Sequence, residues 1–279
     1  MKFTKIIIAI IVINSFLFPQ DSTSKFNNVL SGIYDSFKET VKWYDIPIYL
    51  SNKYSKNIFG NNGHFQFIKL TPLKFEKDFN NVIGSNGNKS LGSIDKDIYP
   101  TLLLSSRITM SIGRALLMND KLNKNDLKHS IVFYKSIIYT NLCTEIIKGI
   151  VHKDRPDNSD SRSFFSGHSS NTFAASTFIY RELKDFYDDW DVTSDNEILN
   201  KSLTALSFTT LYGWSGYVAY SRIKDNKHYL LDVLLGAAVG VAISNFLYDS
   251  YFHSENNITP DFRIDPEIKG KYLGFSYTF

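Results

Sequence analysis

The sequence predicts an all-α protein, a helical bundle with a loop-rich N-terminal segment and a short C-terminal strand. Apolar residues recur at helical spacing through most of residues 99–251, and short polar breaks separate these stretches. The chain has 279 residues, 43% of them hydrophobic, which suffices for one sizeable core. Its formal charge of +3 is too small to indicate nucleic-acid binding.

The first twenty residues have the layout of a secretory signal peptide. Lys2 and Lys5 precede an apolar run over residues 6–18, and a polar stretch follows. The run is short for a bilayer-spanning helix, so export to the periplasm or the cell envelope is predicted. Small residues are missing from the expected cleavage positions, which leaves an uncleaved N-terminal anchor as the alternative.

Residues 21–98 are predicted to form an N-terminal segment that begins with an amphipathic helix over 26–43. Its remainder is rich in Asn, Gly and Lys, which predicts loops and one short strand within 65–70. At the other end, residues 253–279 are predicted to be a tail. Aromatic residues alternate in its last positions, which is typical of a strand with one buried face.

Residues 99–252 are predicted to form the core, as a succession of helices. The predicted ranges are 99–118, 127–151, 168–187, 203–220 and 227–251. Cys143 lies among apolar residues of the second range and, as the sole cysteine, forms no internal disulfide. Asp232 and Asn245 interrupt the last range, so a buried core helix and a membrane segment explain it equally well.

Three polar breaks at the ends of these helices contain the side chains that suggest a function. In the first, Lys148 is followed after six residues by Arg155 and Pro156. The second reads Ser166-Gly167-His168. The third has Ser221-Arg222, five residues, His228, three residues and Asp232. Because helix ends from different parts of a chain can converge, these breaks can form one pocket.

The residue types in these breaks suit a phosphate ligand. Lys148, Arg155 and Arg222 would offer three cations to a dianion. Ser166 and Gly167 precede a helix whose first amides can bind an anion, and two histidines can share attack and proton transfer. On a helix, Asp232 would share a face with His228 and could accept one of its ring hydrogens.

Each residue alone also has an ordinary structural explanation. Lys148 would be favourable at any helix C-terminus, and Arg155 can pair with Asp154 or Asp157 at the surface. His168 can be an exposed residue after a turn, and His228 with Asp232 an exposed ion pair. The combination of all three breaks, with their spacings, favours the functional interpretation.

Together the three breaks resemble the signature of the type 2 phosphatidic acid phosphatase superfamily, which includes class A acid phosphatases, lipid phosphate phosphatases and vanadium haloperoxidases. The resemblance covers residues 99–251, and Phe165 stands where the family usually has proline. It implies a helical bundle with the site at helix ends. It also implies that His228 is the nucleophile, Asp232 its orienting residue and His168 the general acid. The implied phosphate-binding residues are Lys148, Arg155, Ser166, Gly167 and Arg222.

The expected function is that of an exported phosphatase that acts on phosphate monoesters or lipid phosphates through a phosphohistidine, without a metal or other cofactor. The alternatives are a vanadate-dependent haloperoxidase and a non-catalytic anion-binding module. The expected partner is a phosphorylated small molecule or lipid, not a nucleic acid, and contact with a membrane surface stays open. The other histidines match no motif position: His64, His129, His152 and His253.

Overall fold

The computed structural model describes residues 22–59, 67–85, 90–93, 98–117 and 124–253, and the all-α prediction is confirmed for them. The helices are α1 (Ser22–Thr40), α2 (Asp45–Ile58), α3 (Lys74–Ile83), α4 (Ile98–Leu117), α5 (Lys124–Ile150), α6 (Gly167–Asp189), α7 (Asp191–Ser194), α8 (Glu197–Lys224) and α9 (Leu230–Phe252). A 3₁₀ turn covers Leu91–Ser93. The predicted signal peptide and C-terminal strand lie outside the described residues.

The chain divides into two compact units. One consists of residues 1–42 and 103–131, and the other of residues 43–102 and 132–279. In the first unit, hydroxyl groups of α1 bond back to its own carbonyls, as from Thr40 to Ser36 O at 2.6 Å. All residues predicted for the functional site belong to the second unit.

The segment that composition predicted as loops contains two helices, α2 and α3. Polar contacts hold both of them. Asp45 at the start of α2 accepts hydrogen bonds from Lys135 Nζ at 2.8 Å and from Tyr139 Oη at 2.7 Å. The buried residues of α3 are Glu76 and Asn80. Because the buried side of α3 is polar, apolar periodicity does not reveal this helix.

Among the described residues, one short two-stranded sheet joins this segment to the core. Strand β1 (Ile68–Lys69) lies within the predicted range 65–70 and pairs in parallel with β2 (Val151–His152). Beyond the pair, Leu70 N donates to His152 O at 2.8 Å. The sheet thus fixes the chain where it leaves α5 and enters the loop that contains Arg155.

The core of the second unit is built around α6, which packs against α8 and α9. Phe178 of α6 makes edge-to-face contacts with Phe133 of α5 and Tyr248 of α9, at centroid distances of 5.4 and 5.1 Å. A Cβ atom at Gly240 would lie 2.1 Å from Ser170 O. Glycine at this position therefore allows the backbones of α6 and α9 to approach closely.

Helix α9 is the most apolar of the described helices. By length and composition it is the one described helix that could cross a membrane, and about a third of its apolar window is buried. It begins at Leu230, three residues later than predicted, because Asp232 caps it by accepting a hydrogen bond from Tyr229 N at 3.0 Å. Similarly, α8 begins before its predicted start because Asn196 accepts a hydrogen bond from Leu199 N.

Candidate functional site

The start of α6 carries the Ser166-Gly167-His168 motif. Ser166 caps the helix, its Oγ accepting from Ser169 N at 3.4 Å. Its own backbone N donates to Asp232 O at 3.0 Å, so the starts of α6 and α9 lie side by side. Ser166 and Gly167 are buried, whereas His168, the second residue of α6, is half-buried.

The three predicted cations come from three different elements. Lys148 lies buried in the last turn of α5, and Arg222 lies buried in the last turn of α8. Arg155 belongs to the loop that follows β2. Its Nε donates to Asp160 Oδ1 at 2.5 Å, and its Nη1 donates to Lys227 O at 3.4 Å. These contacts hold the guanidinium of Arg155 beside the third motif.

His228 is the buried centre of the site, with 1% of its surface exposed. Burial lowers the pKa of its imidazole well below the ordinary value, and the positive charges of Lys148, Arg155 and Arg222 lower this pKa further. The imidazole is therefore neutral at pH 7. Since all three predicted cations act on it, the structure brings the first and third motifs together.

The tautomer of His228 follows from its hydrogen bond. Its Nδ1 lies 2.6 Å from the backbone oxygen of Ser163, which can only accept. The hydrogen of the neutral ring is therefore assigned to Nδ1, and Nε2 keeps its lone pair. That assignment suits a nucleophile. That His168 faces the same phosphorus atom stays a prediction.

The prediction of a hydrogen bond between His228 and Asp232 is wrong, because His228 Nδ1 bonds to Ser163 O instead. His228 precedes α9 instead of lying on it, so the helical spacing that motivated the expectation does not apply. The carboxylate of Asp232 caps α9 and also accepts from Ser163 Oγ at 2.5 Å and from Lys153 Nζ at 2.7 Å. Asp232 is thus connected to His228 through Ser163.

Sequence reasoning missed three buried residues behind His228, namely Glu76, Lys153 and Ser163. They are exposed by 1%, 3% and 0% of their surfaces, respectively. Lys153 and Ser163 stand in a polar loop where a solvated side chain is the ordinary expectation, and Glu76 lies far from every motif. No local pattern distinguishes them.

Arg222 carries the clearest sign of a missing partner. Its Nε is buried and has no hydrogen-bond partner among the described residues, and its nearest carboxylate, Asp225, lies at 3.8 Å. Burial lowers the pKa of its guanidinium to about 10. An anion beside Arg222 would satisfy this donor.

Three of the other histidines have separate surroundings, and His64 lies outside the described residues. His152 Nε2 lies 3.2 Å from Asp154 Oδ1, and His253, at the far end of α9, lies between Asp185 and Asp249. Burial lowers the pKa of His129, in the first unit, to about 4. Among the described residues, no three His, Cys, Asp or Glu side chains are grouped to hold a metal ion.

Comparison with known proteins identifies relatives of the segment that contains all three motifs. Residues 131–255 match the PAP2 superfamily. A PA-phosphatase related-family protein from Dictyostelium discoideum is 27% identical over 181 residues, which are 55% of this chain and 64% of the relative. Diacylglycerol pyrophosphate phosphatase 1 from Saccharomyces cerevisiae is 29% identical over 31% of this chain and 28% of the relative.

Two further matches are a third curated protein and a solved structure. Lipid A 1-phosphatase from Porphyromonas gingivalis is 32% identical over 34% of this chain and 17% of the relative. This chain thus spans less than two thirds of the length of each of these curated relatives. The crystal structure of a transmembrane PAP2 type phosphatidylglycerolphosphate phosphatase from Bacillus subtilis is 16% identical, with a TM-score of 0.40, and the match covers 84% of this chain and 98% of that one.

Proposed function

We propose that this chain, whose residues 131–255 match the PAP2 superfamily, is a metal-independent phosphatase acting on lipid phosphates or other phosphate monoesters. The observation that carries the proposal is the neutral, buried His228 under the influence of three cations. A neutral imidazole is a nucleophile, and cations beside it suit a phosphate dianion.

The binding step uses the groups that surround His228. Lys148, Arg155 and Arg222 bind the phosphoryl oxygens, and Arg222 Nε gains the acceptor that it lacks without a ligand. Ser166 and Gly167 add the amides and positive end of α6. These groups neutralise the charge that a metal ion neutralises in other phosphoryl-transfer enzymes.

The chemical step is a double displacement. His228 Nε2 attacks phosphorus, a P–N bond forms, and the P–O bond to the leaving group breaks as His168 donates a proton to that oxygen. Water then attacks the phosphohistidine while His168 accepts its proton, and the P–N bond breaks. Inorganic phosphate leaves, and His228 returns to the neutral state that burial favours.

A lipid phosphate is the favoured substrate class because two of the relatives are named for lipid phosphates. The apolar helix α9, which begins at the site, supports a location at a membrane. The layout of residues 1–20 supports export. Cell fractionation and sedimentation of the protein with liposomes test this location, and recovery in the cytoplasmic supernatant would contradict it.

The test is phosphate release from p-nitrophenyl phosphate and from phosphatidate in the presence of EDTA. We expect turnover by the wild-type chain and a loss of about 10³-fold or more in His228→Ala. His253→Ala is the matched control, because it makes the same change at the other end of α9 and should keep wild-type activity. Turnover that survives His228→Ala would exclude the mechanism, and phosphate binding without hydrolysis would indicate an anion-binding module.

A further inference from the structure

We propose that Glu76 and Lys153 are positioning residues for His228, in an inference that rests on the proposed phosphatase function. They hold Asp232 and Ser163, and the carbonyl of Ser163 fixes the imidazole in its nucleophilic tautomer. Glu76 belongs to α3, which lies before the segment that matches the PAP2 superfamily. The positioning of the nucleophile thus depends on a helix outside that segment.

The first step is the pairing of Lys153 with two carboxylates. Its Nζ lies 3.0 Å from Glu76 Oε1 and 2.7 Å from Asp232 Oδ1. All three side chains are nearly completely buried. One ammonium group therefore holds two carboxylates in place, in surroundings where a charge without a partner would be strongly unfavourable.

The second step leads from Asp232 to Ser163. Ser163 Oγ donates to Asp232 Oδ2 at 2.5 Å, and Ser163 N donates to Lys153 O at 3.0 Å. Lys153 N in turn donates to Ser161 O at 3.0 Å, which folds the loop back on itself. Both the side chain and the backbone of Ser163 are therefore held by the ion-paired cluster.

The third step leads from Ser163 to the imidazole. The carbonyl of Ser163 accepts the hydrogen of His228 Nδ1 at 2.6 Å, and this bond favours the tautomer in which Nε2 is unprotonated. It also opposes the decrease in the pKa of His228 that burial and the cations cause. If Ser163 were free to move, part of the population would carry its hydrogen on Nε2 and could not attack phosphorus.

Helix α3 makes a second contact that supports this role. Asn80, one turn beyond Glu76, is buried, and its Nδ2 lies 3.5 Å from the backbone oxygen of His228. A Cβ atom at Gly84, next to the end of α3, would lie 2.1 Å from Asn226 Oδ1. Close packing therefore holds α3 against the segment that leads into His228, so that Glu76 and Asn80 act on the nucleophile from one helix.

A merely structural role for Glu76 would alter stability without altering the chemistry of His228. A positioning role predicts a lower kcat, an unchanged KM and a changed imidazole. A change at Glu76 should leave the three phosphate-binding cations in place, since Lys148, Arg155 and Arg222 belong to α5, the Arg155 loop and α8. Affinity for phosphate should therefore persist.

The test variant is Glu76→Gln, because a glutamine oxygen can still accept the hydrogen bond that Leu73 N donates at the start of α3. We expect kcat to decrease ~10- to 100-fold with KM within about twofold of the wild-type value. The acid limb of kcat/KM should move to lower pH, because a less well-held Ser163 carbonyl supports the pKa of His228 less. ¹⁵N spectra of labelled histidine should show hydrogen on Nε2 of His228 in part of the population.

The matched control is Asp78→Asn, which removes a carboxylate from an exposed position of the same helix and should leave every readout unchanged. Ser163→Ala is the second test, and it should lower kcat in the same way because the carbonyl stays but its link to Asp232 is lost. It replaces Glu76→Gln if circular dichroism shows that the latter does not fold.

The outcomes separate the two proposals. A wild-type chain that releases no phosphate would overturn the phosphatase function. An active wild-type chain whose folded Glu76→Gln and Ser163→Ala variants keep the wild-type kcat, pH profile and ¹⁵N signature would overturn the positioning role alone.

Discussion

His228 has two sets of charged neighbours, which differ in whether their hydrogen bonds are satisfied within the protein. The phosphate side consists of Lys148, Arg155 and Arg222, and the carboxylate side consists of Glu76, Lys153 and Asp232. On the phosphate side, Arg222 Nε is buried without a hydrogen-bond partner among the described residues. On the carboxylate side, Lys153 lies between Glu76 and Asp232 with distances of 3.3 Å or less to each carboxylate. The charges of the carboxylate side pair with one another, whereas on the phosphate side Arg222 Nε needs a bound anion as its acceptor.

This difference assigns separate tasks to the two sides. A buried donor without a hydrogen-bond partner destabilises the protein by about 1–3 kcal/mol, and a bound phosphate would remove this penalty. Changes on the phosphate side should therefore appear mainly as weaker binding. The carboxylate side makes no contact with the ligand in the proposed mechanism, so changes there should appear mainly in kcat.

The largest effect after loss of the nucleophile is expected at the start of α6. His168→Ala should lower kcat by ~10²- to 10⁴-fold for substrates with a poor leaving group, because the leaving oxygen would depart without a proton. For p-nitrophenyl phosphate, whose leaving group is stable as an anion, the decrease should be much smaller. Steady-state rates for phenyl phosphate and p-nitrophenyl phosphate provide the measurement. An equal decrease for both would contradict the general-acid role.

Arg222→Met tests the phosphate side. Loss of hydrogen bonds from a charged donor should raise the inhibition constant of inorganic phosphate by ~10- to 150-fold, which corresponds to about 1.5–3 kcal/mol. Lys224→Met, at an exposed position of the same turn, is the matched control and should change this constant little. If Arg222→Met lowered kcat and left phosphate inhibition unchanged, the assignment of tasks to the two sides would be wrong.

Gly236→Ala tests how closely the starts of α6 and α9 must approach each other. A Cβ atom there would lie 2.6 Å from Ser166 O, so the start of α6 would have to move away from α9. We expect a loss of about 1–3 kcal/mol in the free energy of unfolding, together with weaker phosphate binding.

Gly216→Ala is the control for this change, since no atom beyond its chain neighbours and the adjacent backbone of α8 lies within 4 Å of the added Cβ. Alanine is favoured over glycine inside a helix, so this variant should be more stable by about 0.5–1 kcal/mol. Urea unfolding measures both variants. Equal stability changes in the two would contradict the close approach at Gly236.

The smallest expected effect is a pH dependence of stability. The pKa of His228 is lower in the folded protein than in the unfolded chain, so below about pH 6.5 the unfolded chain binds more protons. Stability should therefore fall as the pH falls through 6.5 toward the folded pKa, by less than about 1 kcal/mol between pH 7 and 6.

His228→Gln should lack this contribution. His129 contributes a loss in the same direction, between about pH 6.5 and 4, but it does so in both proteins. The difference between their urea midpoints at pH 7 and 6 therefore isolates His228. A difference that does not change with pH would contradict the neutral, buried imidazole.

The sequence by itself determined the helical class, the core helices α5, α6 and α9 to within a few residues, and the motif residues of the candidate site. These features are local: helical periodicity repeats every few residues, and Lys148, Arg155 and Arg222 are recognisable by type and spacing. The tertiary structure alone decided that Asp232 bonds to Ser163 and not to His228, and that Lys153 pairs with both Asp232 and Glu76. A buried ion pair is defined by partners far apart in the chain, and before folding its members have the same local pattern as solvated residues.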